Sequence, residues 1–577
     1  MSTNVSKQRR DELIAKIKEI YSYISQKDQD ENTGVLLDYL RDIEKDIKRK
    51  KYGLVFEEHR EGIDELLETH TPVLTEEQDL FIDHGGPVNF LIEGDNLAAL
   101  RLLEKTHREK IDIIYIDPPY NTGGSDFIYN DAIVDSEDLF RHSKWLSFMN
   151  ERLIAARGLL CETGVMLISI GEQEAASLKL LCDGIMGEDN FITIFVRQMK
   201  SGGAKGKYYT PSVDYILAYA RNVARLPQFK AVMTQKQMDA FYNKVETKGP
   251  RAGEKYGEER LFKASLDARP NQRYYIRCPD GSLAIPPGKH FPACAEEGEP
   301  ILPTNEDKVW KWIYPRYKSE LEQGNIVFKR TKTSGLVDEH GNKSGWNIYN
   351  KLWLSEQQSK GVVPSNLIQE FENRQSAAEL KKIGIHFTYA KPVKLIQYLL
   401  TIANQNADCT VLDFFAGSGT TGHAVMKFNE ENNACRKFIL CTNNENHICR
   451  NVTYKRLGQV IKDERCAASL KYFKIDYIPT ENRFYYEYAD ELLRHIRELA
   501  ELEHGVKLNK NSEIAIILTD EELNELIENE DSLRRCAVLY CGYRVLMGSE
   551  QERKLRSYGI MVYVIPEHYY QELEGAK

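Results

Sequence analysis

Short apolar runs alternate with stretches of helical spacing from Pro87 to about Ala220. Val88-Asn89-Phe90-Leu91-Ile92 reads as a strand, and a helix follows from Asn96 to about Lys105. The run Ile111-Asp112-Ile113-Ile114-Tyr115-Ile116 is the next strand, followed by a helix ending near Leu160 and a strand at Val165-Met166-Leu167-Ile168-Ser169-Ile170. Two more strands are expected at 191–196 and 213–219. This alternation predicts a parallel sheet with crossover helices, an α/β fold. From roughly 221 to 385 Gly, Pro, Lys, Arg and aromatic residues mix with no steady period, and strands and helices alternate again from 386 to about 475. The last hundred residues hold a charged helix near 484–502 and apolar strands at 514–518, 536–540 and 560–565, which suggest a small separate α/β domain. Residues 1–70 are charged, with Leu13, Ile17 and Ile20 at helical spacing. They could dock a partner or cap the core, and the cap is the preferred reading. A polar linker is expected around Thr69 to Asp79. The chain thus divides into segments 1–80, 81–220, 221–385, 386–480 and 481–577.

A chain of 577 residues is too long for one core. No segment holds the eighteen or more apolar residues of a membrane span. The start, Met1-Ser2-Thr3-Asn4-Val5-Ser6-Lys7-Gln8-Arg9-Arg10, is polar, with no signal peptide, so the expected location is the cytoplasm. A net charge of -10 argues against nonspecific coating of nucleic acid but leaves room for a local basic surface. The eleven cysteines are scattered, none in Cys-x-x-Cys, and read as reduced, mostly buried thiols. No metal site is expected.

The strand at 111–116 runs into Asp117-Pro118-Pro119-Tyr120. That places the four residues in a loop at the strand's carboxyl end, where open α/β sheets put their ligands. Asp117 can accept hydrogen bonds from an amino group, and Pro118 lacks an N–H but keeps its carbonyl as an acceptor. Tyr120 offers a flat face to a planar ring. Together they could hold an exocyclic amine by its two hydrogens and aim the nitrogen lone pair at an electrophile. A proline-stiffened turn would use the same residues, so the rest of the chain has to decide.

A second constellation is Val411-Leu412-Asp413-Phe414-Phe415-Ala416-Gly417-Ser418-Gly419-Thr420-Thr421-Gly422, a strand running through a glycine-rich turn into a helix. Glycines there let the backbone approach a ligand closely. Lys437 to Leu440 begins the next strand, and Glu445 lies just past it, where nucleotide-binding sheets grip ribose hydroxyls. No Gly-Lys-Ser/Thr is present, so the expected ligand is a nucleoside without a triphosphate, which suits S-adenosylmethionine.

A glycine turn of this kind paired with Asp-Pro-Pro-Tyr resembles the amino-methyltransferases of DNA. The order, tetrad first and cofactor turn last with a long insert between, is similar to their permuted β class. Asn89-Phe90-Leu91-Ile92-Glu93-Gly94-Asp95-Asn96-Leu97, Tyr120-Asn121-Thr122-Gly123, Phe148-Met149-Asn150-Glu151-Arg152-Leu153, Gly187-Glu188-Asp189-Asn190-Phe191-Ile192 and Tyr389-Ala390-Lys391-Pro392-Val393 resemble the modification subunits of type III restriction–modification systems. The resemblance covers roughly residues 87–475. After Ser169-Ile170 such subunits commonly carry an acidic pair, whereas this chain reads Gly171-Glu172-Gln173-Glu174, and no role is assigned to that loop.

The resemblance implies a Rossmann-like S-adenosylmethionine-dependent methyltransferase sheet. Its catalytic half would be 81–220, its cofactor half 386–480, and the insert 221–385 a target-recognition domain. The target base would be flipped out of the duplex, stacked on Tyr120, and held by Asp117 and Pro118, with Pro119 completing the tetrad. The cofactor's methionine end would lie on Asp413, Phe415, Ala416, Gly417, Ser418 and Gly419, with Thr420 and Thr421 at the helix start. Glu445 would hold the ribose, Asp95 and Asn96 the adenine side, and Lys391 the methionine carboxylate. Asp95 and Thr420 could instead be helix caps, Lys391 a solvated lysine, and Phe415 core, with the cofactor roles of Asp95, Thr420 and Lys391 the preferred reading.

DNA contacts are expected from basic residues interleaved with aromatics: Arg197, Lys200, Lys205 and Lys207 in a glycine-containing stretch, and Lys311, Arg316, Lys329 and Arg330 among Trp310, Trp312, Tyr314 and Tyr317. The leading expectation is N6 methylation of adenine in double-stranded DNA, by a homodimer that could work with a separate restriction (helicase–nuclease) subunit. N4 methylation of cytosine, a DNA-binding subunit without catalysis, and methylation of a protein amide are the alternatives.

Overall fold

Runs of Ile, Leu, Val and Phe bounded by Gly, Pro, Asn and Asp build a ten-stranded sheet. The computed structural model describes residues 5–25, 36–37, 39–40, 43–44, 54, 56–123, 128–129, 132–133, 138–202, 208–233, 235–266, 269–292, 296–385, 387, 390–404, 406–463, 466–480, 483–509 and 511–570. The sheet's strands, in chain order, are β1 His70–Glu76, β2 Val88–Glu93, β3 Ile111–Ile116, β4 Leu160–Ile170, β5 Phe191–Gln198, β6 Val213–Ala220, β7 Leu367–Ile368, β8 Thr410–Asp413, β9 Lys437–Thr442 and β10 Ser469–Pro479. They lie in the order β1-β10-β2-β9-β8-β3-β4-β6-β5-β7.

From β10 to β4 all neighbours run parallel. The sheet is nevertheless mixed, where the alternation predicted a parallel one. β6 is antiparallel to both β4 and β5. Among the described residues no helix separates β5 from β6, and a return without a crossover reverses direction. The expected linker at Thr69–Asp79 contains edge strand β1, antiparallel to β10, with Val73 and Leu74 fully buried. Its polar flanks hide a strand whose buried side chains are only Pro72, Val73 and Leu74.

β8 and β3 are neighbours at the middle of the sheet, with Leu412 opposite Ile114. From β3 the chain passes through the helix Arg141–Leu159 to β4 on one side; from β8 it passes through the helix Thr420–Asn432 to β9 on the other. The order therefore reverses between these two strands, and such a switch point opens a crevice at the strands' carboxyl ends. The loops after β2, β3, β4, β8 and β9 all lie at that edge.

The C-terminal part forms a parallel three-stranded sheet, Ile514–Ile517, Val538–Gly542 and Met561–Ile565, over a core of Leu523, Leu533, Leu539 and Leu555. Tyr540, Ile565, Tyr569 and Tyr570 pack into the same core as Ile114 and Leu412, so this part is joined to the main body. The charged helix expected over 484–502 is two helices, Tyr485–Leu493 and Ile496–His504, divided at Arg494 and His495. Among the described residues no helix is long and apolar enough to cross a membrane.

The second compact unit is Gln228–Pro364 with Thr401–Gln405. It contains a four-stranded antiparallel sheet of Ile326–Arg330, Trp346–Trp353, Lys255–Arg260 and Lys244–Val245. Its core is aromatic: Tyr274, Trp310, Trp312 and Tyr317 pack with Leu261, Ile276 and Ile348.

Candidate active site

The tetrad is held from three directions. Beneath it, the buried Tyr115 hydroxyl and the Ser169 hydroxyl lie 2.9 Å apart and tie β3 to β4, while Asp112 accepts the Thr410 amide at 2.8 Å and ties β3 to β8. Pro118 is buried. The indole Nε1 of Trp145 donates to the Pro119 carbonyl at 2.8 Å. A Cβ on Gly171 would sit 2.8 Å from Cδ2 of Tyr120, so only glycine leaves room for that ring. Burial and the Asp117 carboxylate hold the Tyr120 hydroxyl well above its ordinary pKa of 10.

Lys391 completes the loop from a distant part of the chain. Its Nζ is 2.6 Å from each Asp117 oxygen and 2.9 Å from the Tyr120 hydroxyl, and lies 4.9 Å from the Tyr120 ring centroid. A nitrogen carrying hydrogens therefore already sits on Asp117, where the sequence placed an amine. Sequence reasoning put Lys391 near a cofactor carboxylate and did not see this contact, because the two residues are 274 positions apart.

The glycine turn lies on the neighbouring strand. Asp413 is buried, and its carboxylate accepts from the Phe415 amide at 3.0 Å and from the Thr421 hydroxyl at 2.5 Å. Burial pushes its carboxyl up to about 7, and the nearby Asp117 charge adds to that rise. Gly417 and Gly419 adopt φ of 48° and 74°, left-handed conformations that favour glycine. Ala416 donates its amide to the Cys441 carbonyl at 3.1 Å, and Phe415 packs on Phe148 at 5.7 Å between centroids. Under the turn, the fully buried Arg456 donates to the Ser418 hydroxyl at 3.0 Å and to the Thr420 hydroxyl at 2.8 Å. Burial lowers its guanidinium to about 10.

After β2, Asp95 caps the helix Asn96–Thr106 by accepting the Leu97 amide at 2.7 Å. Asn96 donates to the Phe414 carbonyl at 3.1 Å, so this loop meets the glycine turn. Arg152, fully buried, donates to Asn96 and Glu61 and lies 3.6 Å from Asp95. Glu445 is exposed at the start of the short turn Glu445–His447 after β9. Sequence reasoning missed Trp145, Arg152 and Arg456. A signal existed for Arg152: Trp145, Met149, Arg152 and Ala156 recur at helical spacing and are all fully buried, so a charge stands on an apolar face.

Among the described residues, the expected DNA contacts differ in exposure and in partners. Arg197 is fully buried, and its guanidinium meets both Asp214 oxygens at 2.7 and 2.6 Å and Asn373 at 2.8 Å; it is an interior ion pair with no surface to offer phosphate. Lys200 is half-buried, and Lys205 and Lys207 lie outside the described residues. In the second unit Lys311 pairs with Glu259, Lys329 with Glu258, and Arg330 lies 3.6 Å from Asp280. Arg316 is exposed, 4.7 Å over the Trp312 ring. Trp310, Trp312 and Tyr317 are core side chains rather than stacking surfaces.

The Asp117–Tyr120 loop on one central strand and the glycine turn on the next meet at the switch-point crevice of an α/β sheet, where such folds place their ligands. The sequence from residue 111 to 454 matches the DNA methylase family of N6 and N4 methyltransferases, and the chain belongs to that family. It is 31% identical over 402 residues to the type III restriction–modification enzyme EcoPI Mod subunit of Escherichia phage P1, covering 62% of this chain and 58% of that one. It is 31% identical over 381 residues to the type II methyltransferase M.KpnI of Klebsiella pneumoniae, covering 64% and 84%. The StyLTI Mod subunit of Salmonella typhimurium is 29% identical over 416 residues, covering 66% and 57%. The match thus spans under three fifths of these type III subunits and most of M.KpnI.

Proposed function

We propose that this protein methylates N6 of a flipped-out adenine in duplex DNA, with S-adenosylmethionine as donor, and that it is the modification subunit of a type III restriction–modification system. The observation that carries the reading is the adjacency of β3 and β8. It sets an amine-holding loop beside a glycine turn at the switch point of one sheet.

The residues present fit the cofactor. A Cβ on Gly417 would meet only Phe387 and the Phe415 carbonyl, both at 3.8 Å, so the turn leaves room for a ligand against its backbone. Burial and the nearby Asp117 charge raise the Asp413 carboxyl, and a cationic ligand bound beside it would favour its ionised form. Asp413, Phe415, Ala416, Gly417, Ser418, Gly419, Thr420 and Thr421 would hold its methionine end, Asp95 and Asn96 the adenine side, and Glu445 the ribose. When bound, S-adenosylmethionine supplies an electrophilic methyl group on a sulfonium.

The Asp117 carboxylate and Pro118 carbonyl accept the two hydrogens of the target amine, which turns its lone pair toward the neighbouring turn. Tyr120 stacks on the base. Proximity and alignment supply most of the rate. Lys391 occupies the amine's seat on Asp117, so it has to leave that carboxylate for the base to bind, and it would then be free to hold the cofactor's carboxylate.

The second compact unit is the proposed reader of the base sequence, with Arg316 among its exposed cations. Double-stranded DNA is the proposed substrate, in the cytoplasm. The names of the EcoPI and StyLTI relatives favour a restriction subunit as partner, and a dimer would let one copy read DNA while the other modifies it. The test is methylation-sensitive sequencing of DNA from cells with and without this protein. N6-methyladenine at one short asymmetric site is expected. N4-methylcytosine in its place would overturn the choice of adenine, and no modified base at all would overturn the reading.

A further inference from the structure

The loop after β4, Gly171-Glu172-Gln173-Glu174, lies beside the tetrad because β4 neighbours β3. Glu174 is fully buried, an expensive place for a carboxylate. Its Oε1 accepts from Nδ2 of Asn121 and from Nδ1 of His142, each at 2.5 Å. Nε2 of His142 accepts from Nε of Arg141 at 3.2 Å, so the ring carries its proton on Nδ1. Nδ2 of Asn121 also donates to the Arg141 carbonyl at 3.3 Å. These contacts close a ring through Asn121, Glu174, His142 and Arg141.

Asn121 is the residue immediately after Tyr120, and it sits at φ 55°, a left-handed conformation in which a non-glycine residue needs a reason to stay. The ring supplies one. Its other half is the start of the helix whose Trp145 holds the Pro119 carbonyl, so one helix and one loop grip the later half of the tetrad. Oε2 of Glu174 and Oδ1 of Asn121 have no partner among the described residues. The ring thus spends a buried charge on holding one backbone turn.

We propose that Glu174 is a positioning residue: through Asn121 it fixes the turn after Tyr120, and with it the angle at which the Tyr120 ring meets the target base. This rests on the methyltransferase reading above. Loss of the ring lowers turnover and leaves cofactor affinity alone, because the glycine turn is anchored separately by Asp413 and Arg456.

The experiment compares wild type, Glu174→Gln, Glu174→Leu and Asn121→Gly in the full chain. Glycine tolerates the left-handed turn, so N121G removes the amide without backbone strain. Methyl transfer to plasmid DNA is measured with labelled S-adenosylmethionine, S-adenosylhomocysteine affinity by calorimetry, and amide exchange of the segments 117–123 and 414–421 by mass spectrometry. E174L and N121G are expected to lose tenfold or more in kcat, to bind S-adenosylhomocysteine within twofold of wild type, and to exchange faster only in 117–123. E174Q keeps an acceptor for both donors and should stay within threefold of wild type. The inference is overturned if E174L or N121G keeps full turnover and slow exchange, or if E174Q falls as far as E174L, which would make the charge itself the reactive feature. Should E174L not fold, N121G alone decides. Should wild type transfer no methyl group, the functional reading fails, and the exchange of 117–123 still judges the ring.

Discussion

Lys391 and Asp117 form a closed ion pair across 274 positions of sequence, the ammonium lying 2.6 Å from both carboxylate oxygens. The lysine side chain is 9% exposed and the aspartate 25%, so each charge depends on the other for its solvation. Breaking such a pair by removing one partner costs more than replacing both. Asp117→Asn should destabilise the protein by about 2–4 kcal/mol, and Asp117→Asn with Lys391→Met should recover at least half of that loss. Urea unfolding of the two singles and the double measures it. Additive losses would show that the pair is not coupled.

Asp413 gives the stability of this protein a pH dependence of definite sign. Its folded carboxyl titrates at about 7, against 3.8 for an ordinary aspartate, because burial penalises the charge. Between those values the native state holds a proton that the unfolded chain has released. Stability from this group is therefore full below about pH 4 and is lost as pH rises toward 7, on the order of 4 kcal/mol in all. Asp413→Asn removes the ionisation. The stability of wild type minus that of the variant should fall from pH 5 to pH 7 and level off above, as followed by urea unfolding at each pH. A difference that grows with pH would contradict it.

Gly171 tests how tightly the Tyr120 ring is seated. A Cβ there meets Oε1 of Gln173 and Cδ2 of Tyr120, both at 2.8 Å. The Gln173 amide is the end of a flexible side chain and can swing away. The Tyr120 ring cannot move without disturbing its contact with Lys391. Gly171→Ala should cost about 1–3 kcal/mol in stability. It should lower single-turnover methyl transfer at least tenfold and leave S-adenosylhomocysteine affinity unchanged. Normal transfer by a stable variant would mean that the ring has slack.

What was legible in the chain was local. The run Ile111 to Ile116 leads through Asp117 into two prolines, and the run Val411 to Asp413 leads through Phe414-Phe415-Ala416 into glycines, so each announced a strand with a loop at its end. What was illegible depends on which strands become neighbours. Glu174 reads as a surface charge until β4 lies beside β3, and Arg456 reads as an ordinary helix charge until its helix folds under the glycine turn. The direction of β6 leaves no mark on its apolar pattern, because a run buried on both faces looks alike whichever way it runs. Arg197 did leave a mark that charge counting overrode. It is two residues from the buried Phe195, and period two puts both on the same face of β5.

Arg197 therefore separates charge composition from charge location by experiment. It stands opposite Asp214 in the register of β5 and β6, joined by two parallel hydrogen bonds, with side chains 0% and 4% exposed. Arg197→Ala strands a buried carboxylate and should cost about 3–5 kcal/mol. Arg197→Met with Asp214→Asn removes both charges and should be the more stable of the two variants. DNA affinity of the folded protein should keep its salt dependence in both, because a phosphate contact contributes roughly 0.9 to the slope of log K against log salt and this residue makes none. Exposed Arg316 is the comparison: if its proposed DNA contact is real, Arg316→Ala lowers the slope by about that amount and leaves stability nearly unchanged. A reduced slope in Arg197→Ala at full stability would return that arginine to the DNA surface.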